Sequence, residues 1–82
     1  MKKYIRSNSN SERVKYIVSF NIRSKINLGD LMSTIDKMGG PFYVPVYDKT
    51  AGKWALVVQN KDCDALEDIL HSYGVNYYTE SV

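Results

Sequence analysis

Apolar and polar positions change their period several times along the chain, and each change predicts an element. From Val14 to Ile22 the pattern alternates, with Tyr16, Val18, Phe20 and Ile22 on one side and Lys15, Ile17, Ser19 and Asn21 on the other. A period of two reads as a strand. Leu28, Leu31, Met32, Ile35 and Met38 then recur at helical spacing and predict a helix over residues 28–38. Asn27 is a good N-cap, Asp30 suits the third helical position, and Ile26 and Leu31 have the spacing of a hydrophobic staple. Gly39 and Gly40 tolerate positive φ and Pro41 cannot continue the helix. Phe42 to Tyr47 alternates again, with Phe42, Val44 and Val46 opposed to Tyr43, Pro45 and Tyr47. Proline has no amide to give to a ladder, so this strand belongs at a sheet edge. Residues 48–52 read as a hairpin loop and Lys53 to Gln59 as the next strand. A second helix, capped by Asn60 or Asp62, carries the stripe Cys63, Leu66, Ile69, Leu70 and Tyr73 and stops at Gly74. Val75 to about Glu80 is the last strand.

The order is βαββαβ, and the two halves repeat at an offset of 35 residues: Leu31 aligns with Leu66, Ile35 with Leu70, Gly39 with Gly74 and Tyr43 with Tyr78. Such a repeat is similar in architecture to the split βαβ, or ferredoxin-like, fold, though no particular family stands out. The expectation is an α+β domain with an antiparallel four-stranded sheet in the order 4-1-3-2 and both helices on one face. That order makes the Pro45 strand an edge. Residues 1–12, basic and without periodicity, are expected to be a flexible arm, and residues 13–82 a single α/β sandwich.

The helices should cover Val18, Phe20, Ile22, Phe42, Val44, Val46, Val75 and Tyr77. From the third strand Trp54, Leu56 and Val58 are chosen as inward, because they bury more apolar area than Ala55, Val57 and Gln59. The open face is then expected to present Lys15, Ile17, Ser19, Asn21, Tyr43, Tyr47, Ala55, Val57 and Tyr78.

Composition narrows the class. With 44% apolar and 24% charged residues in 82, the chain is globular rather than disordered. No apolar run approaches the ~20 residues of a membrane helix, and the early lysines are followed by no apolar signal core, so a cytoplasmic protein without membrane contact is expected. One cysteine allows no internal disulfide, and no Cys/His cluster suggests a metal. The net charge of +2 conceals an uneven layout. Residues 1–25 hold seven cations against Glu12 alone, and residues 26–82 hold four cations against eight acids. The frequent Lys, Asn, Ile and Tyr with only three Ala is a bias AT-rich codons produce, as in a low-GC bacterium or its phage.

Candidate chemistry is sparse. Tyr43, Tyr47 and Tyr78 beside Lys15 are the ingredients of a base-stacking platform. Compared with the RNA-recognition fold, however, the central strands offer Ile17, Ser19, Ala55 and Val57 where that family stacks bases on aromatics. Arg23 and Lys25 precede a helix N-terminus, a natural place for an anion. Small ferredoxin-like acylphosphatases use an arginine in such a loop, but the glycine-rich segment they need is missing, and the loop reads as solvated. His71 has no evident partner for acid/base work, and Cys63, flanked by Asp62 and Asp64, reads as a buried apolar residue.

The expectation is a non-catalytic module without cofactor or metal, a regulator or inhibitor that binds another protein through the open sheet face or an edge strand. The binding candidates are Lys15, Arg23, Lys25, Tyr43, Tyr47 and Tyr78. The proline-free fourth strand is expected to support a homodimer. Two other classes compete: a single-stranded nucleic-acid binder using the basic N-terminal segment and the tyrosines, and a small-molecule-sensing regulatory domain.

Overall fold

Local chemistry starts and stops each element of the computed structural model, which describes residues 12–21, 23 and 25–82. The predicted arm, apart from Glu12, lies outside the described residues, as does Ile22. The chain forms β1 (Arg13–Ser19), α1 (Leu28–Met38), β2 (Tyr43–Asp48), β3 (Lys53–Gln59), a 3₁₀ turn (Asn60–Asp62), α2 (Cys63–Tyr73) and β4 (Asn76–Ser81). Helix α1 has the predicted bounds because both ends are fixed locally. The Asn27 side chain accepts from the Asp30 amide at 2.9 Å, and the Asp30 carboxylate accepts from the Asn27 amide at 3.1 Å, a complete capping box. At the other end Gly39 adopts φ +81°, and its amide bonds back to Asp36. Helix α2 starts differently. Asp62 precedes it but makes no side-chain cap bond, and the helix grows out of the 3₁₀ turn, the Cys63 amide bonding to the Asn60 carbonyl.

The strands form one antiparallel sheet in the order β2-β3-β1-β4, the predicted order read from the other edge. Leu31 and Ile35 of α1 and Cys63, Leu66, Ile69 and Leu70 of α2 pack on Val14, Tyr16 and Val18 of β1 and Leu56 and Val58 of β3. Both helices therefore lie on one face. Burial of each large apolar side chain contributes roughly 1.5–3 kcal/mol. Strand β1 begins at Arg13, one residue before the predicted Val14, and just ahead of it the Glu12 carbonyl accepts from the Asn60 amide at 2.7 Å.

Several expectations change. Strand β1 ends at Ser19 rather than Ile22, because β4 begins opposite it at Asn76 and no partner continues beyond. Strand β2 faces the other way. Tyr43 pairs with Val58, Pro45 with Leu56 and Tyr47 with Trp54, and directly paired residues share a face, so Tyr43, Pro45 and Tyr47 lie on the helix side. Val44 and Val46 lie on the open side, opposite Val57 and Ala55. The inward placement of Phe42, Val44 and Val46 is thus overturned, and so is the open-face placement of Tyr43 and Tyr47. Leu56 and Val58 are buried on the helix side as predicted, whereas Trp54 is 53% exposed and Met38 62%. No helix among the described residues is long and apolar enough to cross a membrane.

Candidate interaction surface

The open face is built around one lysine. Lys15 on β1 sends its ammonium to Asp48 at 2.8 Å and to Glu80 at 3.3 Å, so a central strand is tied to both edge strands. Strand β3 separates β1 from β2, so the Lys15 stem crosses β3 on the way to Asp48, where Ala55 is the smallest side chain on that face. The Asp48 carboxylate also accepts from the Ala51 amide at 3.0 Å and thereby holds the hairpin turn. Its pKa lies below the usual carboxylate range, chiefly because Lys15 donates to it and then because Ala51 does. Lys15 is raised above the usual ammonium range, chiefly by the same bond, against the opposing effect of burial. Ile17 and Ala55 are fully buried on this face and Val57 nearly so. Its centre is filled and its cation is already paired, leaving Tyr78, half exposed, as the aromatic group it offers.

The uncovered apolar surface lies at the β2 edge, on both of its faces. Tyr47 meets Trp54 edge to face, with ring centroids 5.6 Å apart, and both rings are about half exposed. Phe42 is 75% exposed and Val44 48%. Of the predicted tyrosines, Tyr43 is spent inside the fold: it packs against the core, its hydroxyl donates to Asp36 at 3.1 Å, and burial followed by that carboxylate raises its pKa.

Arg23 and Lys25 are exposed in the loop that follows β1, and Asn21 turns the loop by accepting from the Arg23 amide at 2.9 Å. This loop leaves Ser19, whose hydroxyl accepts from the Lys53 ammonium at 3.1 Å. The two predicted cations thus share an end of the sheet with the hairpin cations Lys49 and Lys53, beside Tyr47 and Trp54. Sequence reading missed Phe42, Lys49 and Lys53 as surface candidates; for Trp54, set inward, its place at the strand end already points to partial exposure. Lys49 sits in a loop, which is likewise a signal of exposure.

On the helix side Tyr16 donates to Glu67, the Tyr16 and Tyr77 rings lie 5.5 Å apart, and the Tyr77 hydroxyl is 3.4 Å from His71 Nε2. Burial, then Cys63 and Glu67, pushes Tyr16 far above an ordinary phenol. Burial, then Glu67, raises Tyr77. Phenols held so firmly protonated act as hydrogen-bond donors rather than bases. Cys63 is fully buried, its thiol donating to the Gln59 carbonyl. No group of three or more His, Cys, Asp or Glu that could hold a metal occurs among the described residues. No family model, curated protein or solved structure matches the chain.

Proposed function

We propose that the protein is a small, non-catalytic protein-interaction module of ferredoxin-like, split βαβ architecture, a regulator or inhibitor, whose contact surface is the β2 edge with the Tyr47–Trp54 pair. The observation that carries this reading is the exposure of the paired Tyr47 and Trp54 rings on the helix side of the β2 edge, with Phe42 and Val44 exposed on the other face of the same edge, while the centre of the open face is filled. Aromatic side chains supply much buried area at low conformational cost, and they dominate contact energies at protein interfaces. Pro45 blunts the β2 ladder, so contact there runs through side chains. Strand β4 carries no proline, and its one charged side chain, Glu80, is turned to Lys15, which favours backbone pairing with a second copy at that edge.

A second reading has its own support. Arg23, Lys25, Lys49 and Lys53 beside two exposed aromatics form a surface suited to single-stranded nucleic acid. Affinity capture with the native chain and with Tyr47→Ser/Trp54→Ser in parallel separates the readings. A protein held by the first, lost by the second and retained at high salt supports protein contact. Retention of nucleic acid that disappears steeply with salt establishes the other.

A further inference from the structure

We propose that the groove between α1 and α2 is the docking site for this chain's own residues 1–11, with Tyr4 and Ile5 in the groove and Lys2, Lys3 and Arg6 against the acidic wall of α2. The groove has a volume of about 560 Å³ and is lined by Met38, Pro41, Ala65, Ile69 and Tyr73, with Asp68 on its wall. That volume lies within the roughly 300–1,000 Å³ of ordinary binding pockets. Met38, 62% exposed on its rim, is an unbranched, polarisable side chain that adapts to what it covers.

The attachment point, the reach and the charge all favour this occupant. Residues 1–11 join the fold at Glu12, whose carbonyl is bonded to Asn60 in the turn that starts α2. This is the end of the sheet where α1 stops and the groove opens at Gly39–Pro41. From Glu12 back to Ile5 the seven peptide steps reach up to about 25 Å at ~3.3–3.6 Å per residue. Arg13 pairs with Gln59 and Tyr43 with Val58, so the attachment point and the groove mouth beside Pro41 stand about two strand spacings of ~4.8 Å apart, well within that reach. Residues 1–11 hold Lys2, Lys3 and Arg6 and no acid. The facing segment holds Asp62, Asp64, Glu67 and Asp68 against Lys61, and Asp64 and Asp68 are one helical turn apart. A short tether sets an effective concentration on the order of millimolar, so a site with an intrinsic Kd of ~0.1 mM is about nine-tenths occupied.

A nitroxide on Ser7→Cys in the isotope-labelled full chain tests this, since Cys63 is fully buried and leaves the new thiol as the labelling site. The amides of Ala65, Ile69 and Ser72 should broaden severalfold more than those of Lys25, Lys49 and Tyr78, independently of protein concentration. Lys2→Glu/Lys3→Glu/Arg6→Glu should remove the effect, and Asp64→Lys/Asp68→Lys added to that variant should restore it. Broadening that is absent, centred on the hairpin end, or unchanged by the charge reversals overturns the proposal. Equal broadening between a spin-labelled chain and a separate isotope-labelled chain overturns it in favour of a second copy as the occupant.

Discussion

Lys15 and Tyr16 are neighbours in sequence that point to opposite faces, and each ends against a carboxylate far away in the chain. The lowered pKa of Asp48 and the raised pKa values of Lys15 and Tyr16 act on opposite limbs of the stability profile. Asp48 is held below the usual ~3.9, so its ionised form contributes stability above about pH 4, and that contribution is lost as pH falls through the folded-state value. Asp48→Asn should lower the melting temperature near neutrality and flatten the acid limb, as thermal unfolding between pH 2 and pH 6 would record. Tyr16 and Lys15 are raised, so their contributions are complete below about pH 10 and fall as the unfolded chain ionises above it. Tyr16→Phe removes the donor from a partly buried Glu67 and should cost about 1–3 kcal/mol at neutral pH. The same variant should lose less on going to pH ~10.5 than the native chain, as urea titrations at the two pH values would show.

Elements differ in how much of their placement is written locally. The bounds of α1 follow from Asn27, Asp30 and Gly39, all within the helix or beside it, and the sequence pattern places both ends correctly. The same residues give a prediction: Asn27→Ala should cost about 0.5–2 kcal/mol in urea unfolding, whereas Asn27→Asp, which keeps an acceptor for the Asp30 amide, should cost much less. Strand β2 is the opposite case. Beyond Tyr43, which packs on the core and bonds to Asp36 of α1, Val44, Pro45 and Tyr47 are exposed, so the strand's valines gain little by turning inward and hydrophobic alternation carries little information about its facing. The pairing of Asp48 with Lys53 across the turn sets the parity, and that puts Tyr43, Pro45 and Tyr47 on the face of Leu56. The consequence for the candidate site was equally hidden. Lys15 reads from sequence as a free cation, and its partner Asp48 reads as a loop residue 33 positions away that only the sheet order brings within reach.

At the scale of the whole molecule, folding redistributes the charge that the sequence presents as a basic front and an acidic remainder. Glu12 and Arg13 join the end where α2 begins, Lys15 is neutralised between two acids, and Arg23 and Lys25 meet Lys49 and Lys53 at the opposite end. Asp48 at that end is taken by Lys15, and Asp30 is held in the cap of α1. The end that carries Trp54 is therefore positive, and the sole tryptophan reports on it. Summed surface charge of this kind raises local counter-ion concentration, and at low ionic strength it acts over tens of ångströms. Iodide should therefore quench Trp54 fluorescence about twofold or more as efficiently as caesium in dilute buffer, with the two converging at ~1 M salt, where the screening length shrinks to about 3 Å. Lys49→Glu/Lys53→Glu should reverse the order of the two quenchers while leaving quenching by neutral acrylamide unchanged, because the exposure of the ring is not altered. Equal quenching by both ions in dilute buffer would mean that the four cations do not act together at Trp54, and the nucleic-acid reading would lose its support while contact through the apolar edge would not.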